Sequence, residues 1–265
     1  MSDTQAKPAA PAVPAATVLL IRDGANGLEV FMVKRHHQID FATGALVFPG
    51  GKASKSDFDP VLGDHMDGAS AWSSEMRALA AAAIREAFEE AGILLARDAK
   101  TGEFIDENRL ARLDTYRQPL EKGEMSLRDL VEKENLRLAC DHLVHFAHWI
   151  TPKMMPKRFD THFFIALAPH GHSGHHDGRE SVDSLWIAPD EAVADRKRWN
   201  IIFPTKLNLM KLAQSKSVDA ALKAAREAPP LTVEPWVEQS ADGAILRIRD
   251  DAGYEQTWTS MRDGV

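Results

Sequence analysis

The segment at residues 73–95 constrains the fold most, because it predicts one long helix with two contrasting faces. Ser73 or Ser74 can cap its start, and Gly92 suits the position just past its end. Apolar residues recur along it at helical spacing, and they are Ile84, Phe88, Ala91 and Leu95. This spacing predicts a stripe that packs against a core, so the rest of the chain must supply that core.

Three carboxylates lie on roughly the opposite face of the same helix. Glu86, Glu89 and Glu90 are three and four positions apart, so they repel one another. Arg85 can reach Glu89 at i+4, but one cation does not balance three anions. Two interpretations follow: a solvated acidic face, or a site for a hard cation such as Mg²⁺, which prefers a few carboxylate oxygens.

A glycine-rich turn lies upstream of this helix. Residues 45–48 form a short apolar run that predicts a strand, and Pro49-Gly50-Gly51 ends it. Such a turn lets the backbone approach a ligand closely and offer a carbonyl to a metal.

Together these features resemble the Nudix box. The nine residues Arg85-Glu86-Ala87-Phe88-Glu89-Glu90-Ala91-Gly92-Ile93 match its second half, with Ala87 as the weak match. The first half departs from the pattern, because Gly51 lies 34 positions before Arg85, and the segment at 52–72 is read as an inserted loop. The first box Glu has no clear counterpart: counting forward from Gly51 gives Asp57, and counting back from Arg85 gives Arg77.

Residues before the box resemble the branch of the family related to coenzyme A diphosphatases. Arg35, Gly44 and the run at 48–51 fall at the spacings of that branch's signature, but Asp40 replaces its second arginine. The resemblance favours CoA or an acyl-CoA as substrate. ADP-ribose, NADH and dinucleoside polyphosphates are the alternatives.

The resemblance also implies a fold and a mechanism. The expected fold is α/β (α+β), a Nudix-type α/β/α sandwich with a mixed central sheet and added helices. The implied ligands of Mg²⁺ or Mn²⁺ are the Gly50 carbonyl, Glu86, Glu89 and Glu90. Glu86 would also be able to accept a proton, while Arg85 would hold a box carboxylate in place.

Four further residues are candidates for the site. Glu180, from a late polar loop, would act as a base or an extra ligand, unless it is an ordinary exposed glutamate. Arg35 and Gly44 would contact the nucleotide. Arg158 could reach a substrate phosphate or pair with a carboxylate such as Asp160.

The remaining periodicity divides the chain into segments. We expect a disordered tail at 1–14, a domain at 15–215 and a C-terminal extension at 216–265 packed on it. Within the domain, 52–72 is predicted to be a loop outside the sheet that tolerates shortening, and 105–135 a helical insertion. The other expected elements are strands at 16–21, 28–33, 143–150, 161–168 and 184–187, and helices at 107–117, 126–135, from 189 and at 204–215.

Composition narrows the function classes. A net charge of −7 argues against a nucleic-acid surface, which needs a basic stripe. The single Cys140 excludes an internal disulfide and suggests a reducing compartment. With no apolar run long enough to cross a membrane and no signal-like segment, we expect a cytoplasmic enzyme acting on a small nucleotide, with a homodimer as one option. A non-catalytic nucleotide-sensing module is the alternative, disfavoured because all three box carboxylates are present.

Histidines are concentrated in two places. His170, His172, His175 and His176 lie in one glycine-rich loop, which predicts either adventitious transition-metal binding or plain solvation. His142, His145 and His148 lie in a segment read as a strand. Alternation would then put positions 142 and 148 on one side and position 145 on the other, and we assign them no role.

Overall fold

The strands predicted near the N-terminus form the centre of a mixed sheet. The computed structural model describes residues 9–36, 44–179, 181–195, 197–241 and 243–261. In chain order the strands are β1 (Ala12–Gly24), β2 (Gly27–Arg35), β3 (Leu46–Val47), β4 (Gly50–Lys52), β5 (Ala96–Asp98), β6 (Leu136–Leu138), β7 (Val144–Ile150), β8 (Arg158–Leu167), β9 (Ser181–Ile187), β10 (Thr232–Val233), β11 (Trp236–Ser240), β12 (Gly243–Arg247) and β13 (Trp258–Ser260).

Seven α-helices of the described residues surround these strands. They are α1 (Ser74–Ala91), α2 (Glu107–Leu113), α3 (Arg117–Glu121), α4 (Leu127–Lys133), α5 (Pro189–Ala194), α6 (Phe203–Ala213) and α7 (Val218–Glu227). Short 3-10 helices lie at Lys55–Phe58, Pro60–His65, Asp114–Tyr116 and Cys140–His142. The expected helices at 107–117, 126–135, from 189 and at 204–215 are therefore confirmed in position, although 107–121 is broken into three short pieces.

The eight-stranded sheet is branched. Its order is β10-β7-β8-β1-β2-β3, with β4 also paired to β1 and β9 also paired to β2. The strands expected at 16–21 and 28–33 are confirmed and form a hairpin, in which Gly24 pairs with Gly27 across the β1–β2 turn. The N-terminal part of β1 pairs instead with β4, where Thr17 lies opposite Gly50. The glycine-rich turn is therefore paired directly with strand β1.

Both faces of β1 are buried, so its sequence reads as a continuous apolar run. Val18 and Leu20 pack in the core that contains α1, whereas Leu19 and Ile21 pack in the core that contains α6 and α7. The expected α/β/α sandwich with a mixed sheet is confirmed. Within the described residues, no helix combines the length and apolar character that crossing a bilayer requires.

Helix α1 has the predicted limits but not a solvated face. The Ser73 side chain accepts a hydrogen bond from the Met76 backbone N–H, and Gly92 ends the helix with a φ of 63°. All fourteen residues from Ala78 to Ala91 are buried, including the three glutamates. The interpretation of a solvated acidic face is wrong, because strands and loops cover this side of the helix too.

The disordered tail predicted at 1–14 extends too far along the chain, because its last residues belong to a strand. Strand β1 begins at Ala12, so Ala12, Val13 and Pro14 belong to the sheet rather than to a disordered tail at 1–14. Their backbone runs parallel to the start of β8, where Ala12 pairs with Arg158. Alanine and proline composition concealed a strand whose partner lies far along the chain.

The segment at 52–72 is not a plain loop outside the sheet. Lys52 ends β4, and two 3-10 helices follow. Asp57, Leu62, Met66 and Ala69 are buried, the last three in the core around α1. Leu62, Met66 and Ala69 do follow helical spacing, but Pro60, Gly63 and Gly68 lie beside and among them and indicate turns, which is why the sequence was read as a loop. Shortening this segment should therefore destabilise the domain, which reverses the expectation from sequence.

The C-terminal segments join the core of the molecule. Helix α7, which the sequence did not predict, buries Val218, Ala221 and Ala225. Strand β10 pairs with β7 at the edge of the main sheet, and β11–β13 form a separate three-stranded sheet. The segment at 216–265, expected as a C-terminal extension, thus contains one helix and four strands within the described residues.

The predicted sides of three histidines are wrong. His142 lies in a 3-10 helix, before β7 begins. A register shift between His145 and Ala147 then inserts an extra residue into β7. Because such a bulge re-aims the side chains that follow, His145 and His148 come to the same side.

Candidate active site

The glycine-rich turn and α1 meet at the carboxylate cluster. The Gly50 backbone N–H donates to Glu90 Oε2 at 3.0 Å. A Cβ added to Gly51 would lie 2.5 Å from Glu86 Oε1. Both glycines are therefore needed for close approach, because a side chain at position 51 would displace a carboxylate.

The Arg85 side chain connects carboxylates of this cluster through hydrogen bonds. Its Nη1 donates to Glu86 Oε1 at 2.8 Å and to Glu89 Oε2 at 2.9 Å, so the predicted i+4 contact is present. Its Nε and Nη2 both donate to Asp57, and Nη2 also donates to the Lys52 carbonyl. All three nitrogens of the guanidinium are engaged within the protein.

Asp57 is the residue reached by counting forward from Gly51 by the box spacing. Its side chain is fully buried against Arg85 at 3.0 Å. The sequence left the counterpart of the first box glutamate open, and the structure puts Asp57, not Arg77, on Arg85. The shorter carboxylate comes within reach because a 3-10 helix carries it over α1.

The cluster has an excess of negative charge. Four carboxylates (Asp57, Glu86, Glu89 and Glu90) are buried beside the Arg85 guanidinium, which contacts the first three. Burial alone would lower the pKa of Arg85, but the neighbouring carboxylates of Glu86 and Asp57 outweigh it and raise that pKa. Burial raises the pKa of Glu89 to about 8, against the lowering effect of Arg85. Buried charge of one sign is costly unless a counter-ion or proton offsets it.

One oxygen of this cluster has no internal partner. Glu89 Oε1 is buried and makes no hydrogen bond within the described part of the chain. Because a buried acceptor without a donor is destabilising, this atom fits a ligand to a cation. All-oxygen donors at this density suit a hard divalent ion such as Mg²⁺ or Mn²⁺.

The cluster forms one wall of a cleft of about 830 Å³. Such a volume is in the range of small-molecule sites. The rest of the lining includes many apolar residues, which are Trp149, Met154, Met155, Phe159, Phe163, Ile201, Ile202 and Leu246. The cleft therefore presents both a cluster of carboxylates and an apolar surface.

The candidate substrate contacts have different surroundings. Arg35 lines this cleft, and its Nε is buried without a hydrogen-bond partner among the described residues. Gly44 lines a second cavity beside Trp199 and Asn200, with a φ of 66°. Asp40 and Glu180 lie outside the described residues.

Arg158 takes the structural alternative rather than the phosphate-binding one. Its guanidinium donates to the carbonyls of Thr151 and Ala10 and to Glu234 Oε1 at 2.6 Å. The paired carboxylate is therefore Glu234 and not Asp160. The prediction of a substrate contact is wrong in this arrangement, because these acceptors already engage Arg158.

Three charged residues of the cleft were missed by sequence reasoning. Lys52 follows the glycine-rich turn, and Glu121 and Asp177 come from α3 and from the late loop. Asp177 Oδ1 accepts the Ser181 backbone N–H at 2.9 Å, which fixes the loop against β9. Position 177 lies only three residues before the predicted Glu180. The sequence therefore identified the loop, but not Asp177 as a residue of the cleft.

Three of the four loop histidines, His172, His175 and His176, contact other protein groups within the described part of the chain. His172 is buried and bonds to the Ile105 carbonyl at 3.0 Å, and His176 bonds to Ser184. His175 bonds to Arg117, which also donates to the Glu89 carbonyl at the end of α1. The loop thus joins the helical insertion to the core around α1.

Comparisons with known proteins agree with this geometry. A family model described as the NUDT19 Nudix domain matches residues 63–210, more than half of the chain. The chain is 26% identical over 222 residues to the acyl-coenzyme A diphosphatase NUDT19 of Xenopus laevis, covering 69% of this chain and 58% of that protein. A Caenorhabditis elegans protein with a nudix hydrolase name is 28% identical over 208 residues, which cover 78% of this chain and 63% of that protein.

A solved structure extends the likeness to the fold. The crystal structure of a NUDIX hydrolase from Alicyclobacillus acidocaldarius superposes with a TM-score of 0.69 and 28% sequence identity. The match covers 80% of this chain and 96% of that one. By contrast, the chain spans about six tenths of the length of the curated relatives it matches.

Proposed function

Because the chain belongs to the Nudix hydrolase family, we propose that it hydrolyses a diphosphate bond in a nucleoside diphosphate linked to another moiety. The observation that carries this proposal is the buried carboxylate cluster at the end of the cleft. Four carboxylates are buried there beside one arginine that contacts three of them, and Glu89 Oε1 has no hydrogen-bond partner within the described residues. A solvated or purely structural cluster would not leave a buried acceptor facing this excess of charge.

Members of this family generally use divalent metal ions, and we infer Mg²⁺ or Mn²⁺ here. Glu86, Glu89 and Glu90 would hold the ion, with the Gly50 carbonyl beside them. When bound, such an ion offsets the charge of phosphoryl oxygens and lowers the pKa of a coordinated water.

The other residues of the site have different proposed roles. Arg85 holds one oxygen of Glu86 and one of Glu89, which fixes the direction of both carboxylates. It touches protein groups and not the cleft's ligand. Arg35 and Lys52 line the cleft and supply positive charge for the phosphates. Glu86 is the candidate proton acceptor on α1, and Glu180 is the candidate from the late loop.

The apolar surface of the cleft favours CoA or an acyl-CoA among the substrates of this kind. The pantetheine arm of CoA and the chain of an acyl-CoA can cover Met154, Met155 and Phe159. ADP-ribose or NADH would place a second polar sugar there and lose that burial. The Xenopus relative's name agrees with this preference, although the shared length is partial.

A substrate panel tests the proposal. We would measure cleavage of CoA, a medium-chain acyl-CoA, ADP-ribose, NADH and a dinucleoside tetraphosphate, with Mg²⁺, with Mn²⁺ and after exhaustive chelation. We expect metal-dependent release of 3′,5′-ADP from CoA substrates at the highest kcat/KM. Faster cleavage of ADP-ribose would overturn the CoA assignment, and full activity after chelation would overturn the metal-dependent mechanism.

A further inference from the structure

A second cluster of ionisable side chains lies on β7 and β8. His148 and His162 are direct cross-strand partners, and their rings stack with centroids 3.9 Å apart. Asp160 lies two residues before His162 on β8, so both point to the same face. His148 Nε2 is 2.5 Å from Asp160 Oδ1.

This face is not the one that lines the cleft. Thr161 and Phe163 on β8 line the cleft, and the residues between and before them point the other way. The side chains of His148, Asp160 and His162 are 16%, 35% and 15% exposed. The cluster is therefore separate from the α1 carboxylates and is open enough for an ion to enter.

Each histidine of the pair has its second ring nitrogen held by the fold. His148 Nδ1 is 2.8 Å from Thr232 Oγ1, a residue of the neighbouring β10. His162 Nδ1 is 3.1 Å from His145 Nε2, which the bulge in β7 brings to this side. Metal-binding histidines commonly have such a partner on the other nitrogen, because it fixes the ring and the tautomer.

The three potential ligand atoms are only partly joined by hydrogen bonds. His148 Nε2 is hydrogen-bonded to Asp160 Oδ1, whereas His162 Nε2 is 3.9 Å from the same oxygen, which is too long for a hydrogen bond. Two ligands about 2.0–2.2 Å from one tetrahedral Zn²⁺ ion lie about 3.3–3.6 Å apart, so the first pair must separate and the second must approach on binding. The three donor atoms lie within 4.8 Å of one another, so small side-chain movements would bring them onto one ion.

The protonation of the cluster supports the same conclusion. Burial lowers the pKa of His145 and of His162 to about 4, with the nearby His148 acting in the same direction. Both rings are thus neutral at neutral pH, the form in which imidazole binds metals. Two imidazole nitrogens and one carboxylate oxygen suit Zn²⁺ better than Mg²⁺, which prefers oxygen alone.

We propose that His148, Asp160 and His162 bind one transition-metal ion of the Zn²⁺ class, at a site separate from the carboxylate cluster. His145 and Thr232 orient the two histidines without touching the ion. The bound ion ties β7 to β8 and, through Thr232, holds the short β10 at the sheet edge. Its expected effect is on the stability of this edge of the domain.

Zn²⁺ titration of the full chain without an affinity tag tests the site. Excess Mg²⁺ is kept in the buffer to occupy the carboxylates, and a chromophoric chelator competes for Zn²⁺. We expect one tightly bound Zn²⁺ per chain and a rise in Tm on its addition. His162→Gln and Asp160→Asn should each weaken binding at least ten-fold and abolish the rise in Tm, whereas the control His170→Gln should retain both.

Two results would overturn the proposal. One is wild-type protein that takes up no Zn²⁺ in competition with the chelator. The other is His162→Gln and Asp160→Asn proteins that bind Zn²⁺ as tightly as wild type, which would assign the ion to another site such as the loop at 170–176. If the variants fail to fold, X-ray absorption of the wild-type Zn²⁺ complex decides: imidazole scattering supports the site, and an all-oxygen shell contradicts it.

Discussion

The carboxylate cluster on α1 and the histidine cluster on β7 and β8 lie in one domain but differ in the charge of their ionisable groups. The first buries four carboxylates beside a single arginine, Arg85, which contacts three of them, so carboxylates are in excess there. The second combines one carboxylate, Asp160, with His148 and His162, and burial lowers the pKa of His162 to about 4, so that ring is neutral at neutral pH. The first should therefore depend on a hard divalent ion for activity, and the second should gain only stability from a softer one.

Glu90→Gln gives the largest expected effect. The substitution keeps an acceptor for the Gly50 N–H but removes a charge from the proposed metal site. Turnover at saturating Mg²⁺ should fall on the order of a thousand-fold. Relief of repulsion should leave the metal-free protein no less stable. Steady-state kinetics and metal-free thermal unfolding measure the two quantities.

Glu75→Gln is the matched control for this change. Glu75 lies in the exposed first turn of the same helix, so the same loss of charge should leave turnover unchanged. Near-normal turnover of Glu90→Gln would make the carboxylate cluster a structural feature only. The hydrolase proposal would then lose its main support.

Asp57→Ala is expected to have the next largest effect, and it acts on folding. The change leaves two nitrogens of the buried Arg85 without their carboxylate partner. Removing one member of a buried ion pair costs about 3–5 kcal/mol. Chemical denaturation should show this loss, while Asp64→Ala, an exposed position in the same segment, should stay within about 0.5 kcal/mol of wild type. Equal stability of the two variants would show that Asp57 does not support Arg85.

The unequal predictability of the two clusters has a physical cause. The α1 cluster could be predicted because helical spacing is local: Ser73, Gly92 and the three glutamates are fixed by positions a few residues apart. The histidine cluster lies on two consecutive strands, β7 and β8, but a one-residue bulge changes the side of His145 relative to His148, and Thr232 comes from the distant β10. No period in the sequence marks a bulge, so alternation gave the wrong face.

The buried part of segment 52–72 escaped prediction for a related reason. Leu62 and Met66 pack on the core around α1, but the turn formers Pro60 and Gly63 beside them favoured a loop in the sequence. Asp57 could be reached by counting from Gly51, but only its contact with Arg85 identifies it. In both cases a long-range partner, absent from local sequence, decides the structure.

The pH dependence of stability sharpens the contrast between the clusters. Burial raises the pKa of Glu89 from 4.5 to about 8 in the metal-free protein. Between these values the unfolded chain loses a proton that folded Glu89 keeps. Stability contributed by Glu89 is therefore full below about pH 4.5 and falls as the pH rises through 8, by at most about 1.4 kcal/mol per pH unit.

Glu89→Gln isolates this contribution. The difference in unfolding free energy between wild type and Glu89→Gln, measured without metal from pH 5 to 8, should shift steadily against wild type. Saturating Mg²⁺ should remove the slope, because the ion replaces the proton. A flat difference without metal would mean that Glu89 is already ionised beside Arg85.

Thr232→Val gives the smallest expected effect and tests how the histidine cluster is built. Thr232 is exposed on the edge strand β10, and its Oγ1 contacts His148 Nδ1. Valine keeps the shape and the strand propensity but removes the oxygen that orients the ring. Because partners of metal-binding histidines typically contribute 10–100-fold to metal affinity, we expect Zn²⁺ binding to weaken about ten-fold.

Thr259→Val, on β13 of the separate sheet, is the matched control and should leave Zn²⁺ affinity unchanged. Mg²⁺-dependent turnover should be the same in both variants, since neither touches the carboxylate cluster. Equal Zn²⁺ affinity in the two variants would show that His148 is held by its own strand and not by β10.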